Sequence, residues 1–125
     1  MAEGHPGCSE AQLRDAEGRL HVRLPDRLRE LWRAGDGRYR SDGQWWVVWP
    51  LDRLVADNLD ALQAEMLSRD LIAIGDDGTG NPFCAPVDGR DEIIRWSWID
   101  GEPEYSAGTL DQFLAEWVYD SVDGT

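Results

Sequence analysis

Residues 71–87, LIAIGDDGTGNPFCAPV, constrain the fold more than any other stretch. LIAIG is a short, continuous apolar run, and FCAPV is a second one beyond a polar, glycine-rich segment. Runs of this length bounded by turn residues signal buried strands, so the segment predicts two strands joined by a polar connection. Gly75, Gly78 and Gly80 are expected to supply positive φ, and Asp76 and Asp77 to cap N–H groups of the loop. Both carboxylates turned outward, as part of an acidic face, is the alternative. Pro86 predicts an edge position or a bulge for the second strand.

The same loop invites three chemical readings. A phosphate-binding loop needs a lysine after its glycines and a helix to follow, yet the chain has no lysine and Pro82 leads into a strand. An EF-hand calcium loop needs oxygen ligands at alternate positions and a closing Glu, and counting twelve residues from Asp76 reaches Val87. A general acid–base pair needs two carboxylates in one cleft, whereas neighbours on an extended segment point to opposite sides. The remaining reading is a shaped polar turn. Elsewhere, no Ser lies in a G-x-S-x-G context, and Cys84 sits in an apolar run far in sequence from His5 and His21. No catalytic signature emerges.

The rest of the chain alternates between helical and strand patterns. Ser9 and Gln12 form a capping box, followed by Leu13, Ala16 and Leu20 at helical spacing; Cys8 precedes the cap, placed to pack on Leu13. In LPDRLRELWRAGDG, Pro25 suits a first helical position, Leu28, Leu31 and Trp32 line one face, and Gly35 ends the helix. RYRSDGQWWVVWP then alternates as a hairpin turned at Asp42-Gly43, with Trp45, Val47 and Trp49 on one face and Trp46 and Val48 on the other. With both faces apolar, one is a candidate aromatic surface. Pro50 opens a third helix whose apolar spacing runs to about Met66. EIIRWSWIDGEPEYSA predicts a hairpin turned near Asp100-Gly101, with Ile94, Trp96 and Trp98 sharing a face, and Thr109 with Gln112 caps a final helix striped by Leu110, Phe113, Leu114, Trp117 and Val118. The fold class expected is α+β, one domain with a twisted, antiparallel-rich sheet of about six strands and flanking helices.

Charge narrows function. Twelve Arg against 25 acidic residues give a formal charge of −13, which disfavours nucleic acid and anionic membranes and favours basic partners. The 125 residues suit one domain, expected over 9–121 between a flexible N-terminus at 1–8 and a tail at 122–125. The N-terminus lacks signal-peptide character and no apolar stretch is long enough to span a bilayer, so a cytoplasmic location is expected. Cys8 and Cys84 are expected to be free thiols, and no ligand spacing suggests a metal or another cofactor. Seven tryptophans are dense for this length. Trp32 and Trp117 fall on helical stripes and read as core, while the hairpin tryptophans divide between core and partner surface, Trp46 evenly.

The order of four segments, AEGRLHVRLPDRLRELWRAGDG, WWVVWPLDRLVADN, IAIGDDGTGNPFCAPV and TLDQFLAEWV, resembles the SUKH superfamily, which includes yeast cell-wall synthesis regulators of the Smi/Knr type and many bacterial immunity proteins. Glu17 with Leu20 matches the family's Glu-x-x-Leu, Leu24-Pro25 its Leu-Pro helix start, and 35–37 its helix stop. Trp49-Pro50-Leu51 and Asn58 match its strand-to-helix segment, and Gly75, Asp76, Gly78 and Gly80 its glycine-rich loop. Asn81 departs from the Asp usual after the last loop glycine. The resemblance implies a binding domain without catalysis: an immunity protein that binds and neutralises a basic toxin domain, often a nuclease, or alternatively a housekeeping scaffold that binds a cellular protein. The expected contacts are Asp36, Asp42, Asp76, Asp77 and Asp88 as steering acids with Trp45 or Trp46 as the anchor; the chain is expected to be a monomer or weak dimer.

Overall fold

The structure, a computed structural model, describes residues 6–40 and 44–119. The expected turn at Asp42-Gly43 and the expected C-terminal tail at 122–125 therefore lie outside the described residues. In chain order the elements are α1 (Glu10–Leu20), α2 (Asp26–Ala34), β1 (Arg38–Arg40), β2 (Trp45–Val48), α3 (Leu51–Gln63), β3 (Leu71–Asp76), β4 (Pro82–Pro86), β5 (Ile94–Ser97), β6 (Glu102–Ser106) and α4 (Leu110–Phe113), which runs on as a π-helical segment, Leu114–Tyr119. The class is α+β, with every strand pairing antiparallel. The six strands divide into a β1–β2 hairpin and a four-stranded sheet in the order β3-β4-β5-β6.

Local chemistry explains most boundaries. Ser9 Oγ accepts the Gln12 N–H at 3.1 Å while Gln12 Oε1 accepts the Ser9 N–H at 2.7 Å, so the capping box opens α1. Cys8 and Leu13 are both buried in the core. Pro25 sits at the N-cap of α2, one residue earlier than its expected first-turn position, because its ψ of 149° is still extended. Pro50 does the same for α3. Neither proline has a capping side chain, and each helix start borrows an acid from elsewhere. Glu17 Oε2 accepts the N–H of Leu24, just before α2, at 2.8 Å, and Asp36 Oδ1 accepts the first N–H of α3, from Leu51, at 2.7 Å.

Helix α3 stops at Gln63, short of the expected Met66, through a Schellman-type ending in which Met66 N–H reaches Ala61 C=O and Glu65 N–H reaches Leu62 C=O. Glu65 occupies the left-handed position at φ 57°, where sequence reading looks for glycine. Pro86 does not mark an edge: β4 lies between β3 and β5, and Pro86 ends it beyond Phe83 and Cys84, the residues paired with β5. The bulge falls instead in β3, where the register shifts between Ala73 and Gly75. A second shift falls between Arg95 and Trp96, where β6 carries Glu104 as its extra residue; along β5 and just beyond it, Trp96 and Ser97 are buried while Ile94 and Trp98 are half-buried.

One core joins helices and sheet. Trp32, Phe83, Phe113, Leu13, Leu24, Leu54 and Ile74 are among its fully buried side chains. Trp117 is half-buried, standing edge-on to Phe83 with centroids 4.8 Å apart. An ionic seam ties α1 to α2: the nearly buried Arg29 bonds Glu17 through Nε at 3.2 Å and Glu10 through its terminal nitrogen, and Arg33 also bonds Glu10. Hydrogen bonds from Arg29 and then Arg33 pull the Glu10 carboxyl down from its ordinary 4.5 to about 2. A depressed carboxylate stabilises the fold fully above its unfolded value and loses that contribution as pH falls through the folded one. Urea melts across pH should therefore show stability falling from about pH 4.5 toward about pH 2, with a shallower fall in Glu10→Gln.

Candidate protein-interaction site

The aromatic hairpin and the glycine-rich loop meet at the start of α3. Trp45 donates its indole N–H to Asp76 C=O at 2.9 Å and lies over Gly78, where an added Cβ would stand 3.2 Å from the ring. Trp49 donates to Asp76 Oδ2 at 3.3 Å, and the Arg53 guanidinium sits 4.9 Å above the Trp49 ring and 3.5 Å from the same carboxylate. Trp46 stands edge-on to the exposed Tyr39 with centroids 5.1 Å apart, and Gly37, next to Asp36, packs against its ring. Asp36, Trp45, Trp46 and Asp76 thus lie around these contacts, with Asp77 next along the loop. Trp45 and Trp46 are both half-buried, so the candidate aromatic surface is a partly covered one. Asp88 lies apart, on a groove bordered by Arg23, Pro25 and Arg27. Asp42 lies outside the described residues.

Both loop carboxylates turn inward. Asp76 Oδ1 accepts Gly78 N–H at 2.8 Å. Asp77 Oδ1 accepts the N–H and hydroxyl of Thr79 at 2.9 and 2.6 Å and the N–H of Asn81 at 3.3 Å, while Oδ2 meets Arg95 at 3.4 Å. Their side chains are only 13% and 5% exposed, so they act as caps and ion-pair partners of their own loop. Asn81 joins the network, its C=O accepting Asp77 N–H at 3.1 Å and its amide reaching Glu104 at 3.4 Å. Gly78 and Gly80 have the expected positive φ, at 88° and 104°, but Gly75 does not. Gly75 answers to close approach instead: a Cβ there would lie 1.7 Å from Val47 C=O.

The remaining acids are likewise engaged. Asp36 Oδ1 accepts both Leu51 N–H and, at 3.3 Å, the Cys8 thiol. Asp88 accepts the backbone N–H of Arg90 and pairs with its side chain, which lowers its pKa. Cys8 and Cys84 are free and buried; burial first and Asp36 second push the Cys8 thiol up to about 12, and burial alone raises Cys84. Among the described residues no group of three or more His, Cys, Asp or Glu is placed to hold a metal, and no helix is long and apolar enough to cross a membrane.

The structure adds participants that motif reading missed. Arg53 and Arg95 neutralise the loop acids, and Arg29 is the buried cation between α1 and α2. Only Arg53 left a trace in the sequence, as the i, i+4 partner of Asp57. The residues matched to family motifs are structural: Glu17 caps the approach to α2, Leu24 and Trp49 are buried, Pro25 and Pro50 start helices, and the loop glycines shape the turn.

Fold and site together define a small α+β domain whose signature residues build its scaffold and whose aromatic hairpin is locked to a glycine loop. The chain belongs to the SMI1/KNR4 family (SUKH-1), whose model matches residues 7–116. No curated protein matches it significantly. Because the Gly75 contact is with backbone, Gly75→Ala should destabilise the domain by about 3 kcal/mol or more, read as a lower denaturant midpoint.

Proposed function

We propose that this chain is a non-enzymatic protein-binding domain that acts as an immunity protein, occupying a basic toxin domain and blocking it. The observation that carries the reading is the formal charge of −13 on a domain of the SMI1/KNR4 family. A toxin built to bind phosphate chains presents a positive site, and an acidic domain is drawn to it by long-range attraction before any contact forms. Since Asp36, Asp76 and Asp77 serve the fold as well, steering comes from the summed field of the acidic surface more than from any one loop. Trp45 and Trp46, half-buried and braced from behind, supply the rigid aromatic contacts that interfaces favour. The cellular-scaffold reading stands beside this one, and a pull-down recovering a host protein where no toxin gene lies nearby would favour it.

Co-expression with the basic C-terminal toxin domain encoded beside this gene should yield a stable complex and restore growth. Trp46→Ala should weaken that complex by about 1–2 kcal/mol, as expected for an aromatic anchor. Absence of both the complex and the rescue would sink the immunity reading.

A further inference from the structure

The β5–β6 hairpin carries an open strand edge that neither the family motifs nor the aromatic hairpin uses. Among the described residues β6 ends the four-stranded sheet and pairs only with β5, and it is exposed at all five residues. Its turn is braced: Asp100 N–H donates to Ser97 Oγ at 3.1 Å, and Gly101 N–H to Ser97 C=O at 2.8 Å. That turn holds Ile99 at 93% exposure beside the half-buried Trp98, and Tyr105 is the other large apolar side chain exposed on this hairpin. Asp100, Glu102 and Glu104 surround them, and Arg95, the nearby cation, is engaged by Asp77 and Glu104.

An uncovered edge offers backbone groups to any strand that approaches. Glutamates and Pro103 blunt this edge against a second copy, because antiparallel pairing would bring Glu102 and Glu104 of two chains carrying −13 each against one another. The same charges attract a cationic strand. Pro103 lacks an N–H, so the added strand pairs along 104–106, and its apolar side chains cover Tyr105 and Ile99.

We infer that the β6 edge, from Ile99 to Ser106, docks an extended basic segment of a protein partner, one in which Lys or Arg alternates with apolar residues. The inference rests on reading the chain as a protein-binding domain, and it names the surface and the chemistry of the segment bound.

The test is an NMR amide-resonance titration of the full chain with a short, end-blocked peptide of alternating lysine and valine, beside an all-lysine peptide of equal length. Saturable shifts confined to 98–106 are expected, with affinity reduced about tenfold by Glu102→Lys and by Ile99→Asp. Both side chains are exposed, so the unperturbed remainder of the spectrum reports that each variant is folded. Asp52→Lys, on the exposed face of α3, should leave binding within about twofold. Shifts spread over the acidic surface, equal binding of the all-lysine peptide, or wild-type affinity in both β6 variants would overturn the inference. A toxin complex formed while the peptide ignores β6 would remove this docking site alone. Peptide binding at β6 without a toxin complex would keep the docking site and remove the immunity reading.

Discussion

The buried amide of Asn58 holds the architecture together. From the middle of α3 its Nδ2 donates to Ala73 C=O at 2.7 Å and to Leu54 C=O at 2.8 Å, and its Oδ1 accepts Ala73 N–H at 2.8 Å. Ala73 lies where β3 bulges, so a helix side chain satisfies strand groups that would otherwise be buried without partners. One residue on, Ile74 C=O accepts Trp49 N–H at 2.8 Å, and Gly75 lets Val47 approach. The free side of β3 is thereby closed by α3 and the aromatic hairpin, which fixes Trp45 over Gly78 and Asp76 beside Arg53.

How much was legible in the sequence follows from the range of each signal. The two capping boxes, the buried run around Ile74, the polar turn at 77–81 and the α+β class rest on local patterns and stand in the structure. What escaped reading depends on partners distant in the chain. The bulges at Ile74 and Glu104 follow from strand pairing, so no alternation pattern reveals them. The end of α3 uses a left-handed Glu65 stabilised by its helix, without the glycine that would have announced it. The π-helical turn at Leu114–Tyr119 is silent too, since Leu110, Phe113, Leu114 and Trp117 fit an ordinary helical stripe.

The candidate site was legible in its members more than in their roles. Asp36, Asp76 and Asp77 stood out as acids in loops, yet their sites of action are a helix start, a tight turn and two arginines. Sequence showed their charge; only the fold shows that the charge is already answered. The motif residues build the scaffold, and the recognition proposed for this chain draws on surfaces the motifs leave free, namely the half-buried tryptophans and the acidic exterior. Acidity on this scale bears on encounter and partner choice, not on the fold itself.

The proposed recognition by charge is tested most directly by stopped-flow association of the chain with a basic toxin domain across ionic strength. Association is expected to slow about tenfold or more between low and physiological salt while dissociation changes little. An association rate indifferent to salt would contradict recognition by charge.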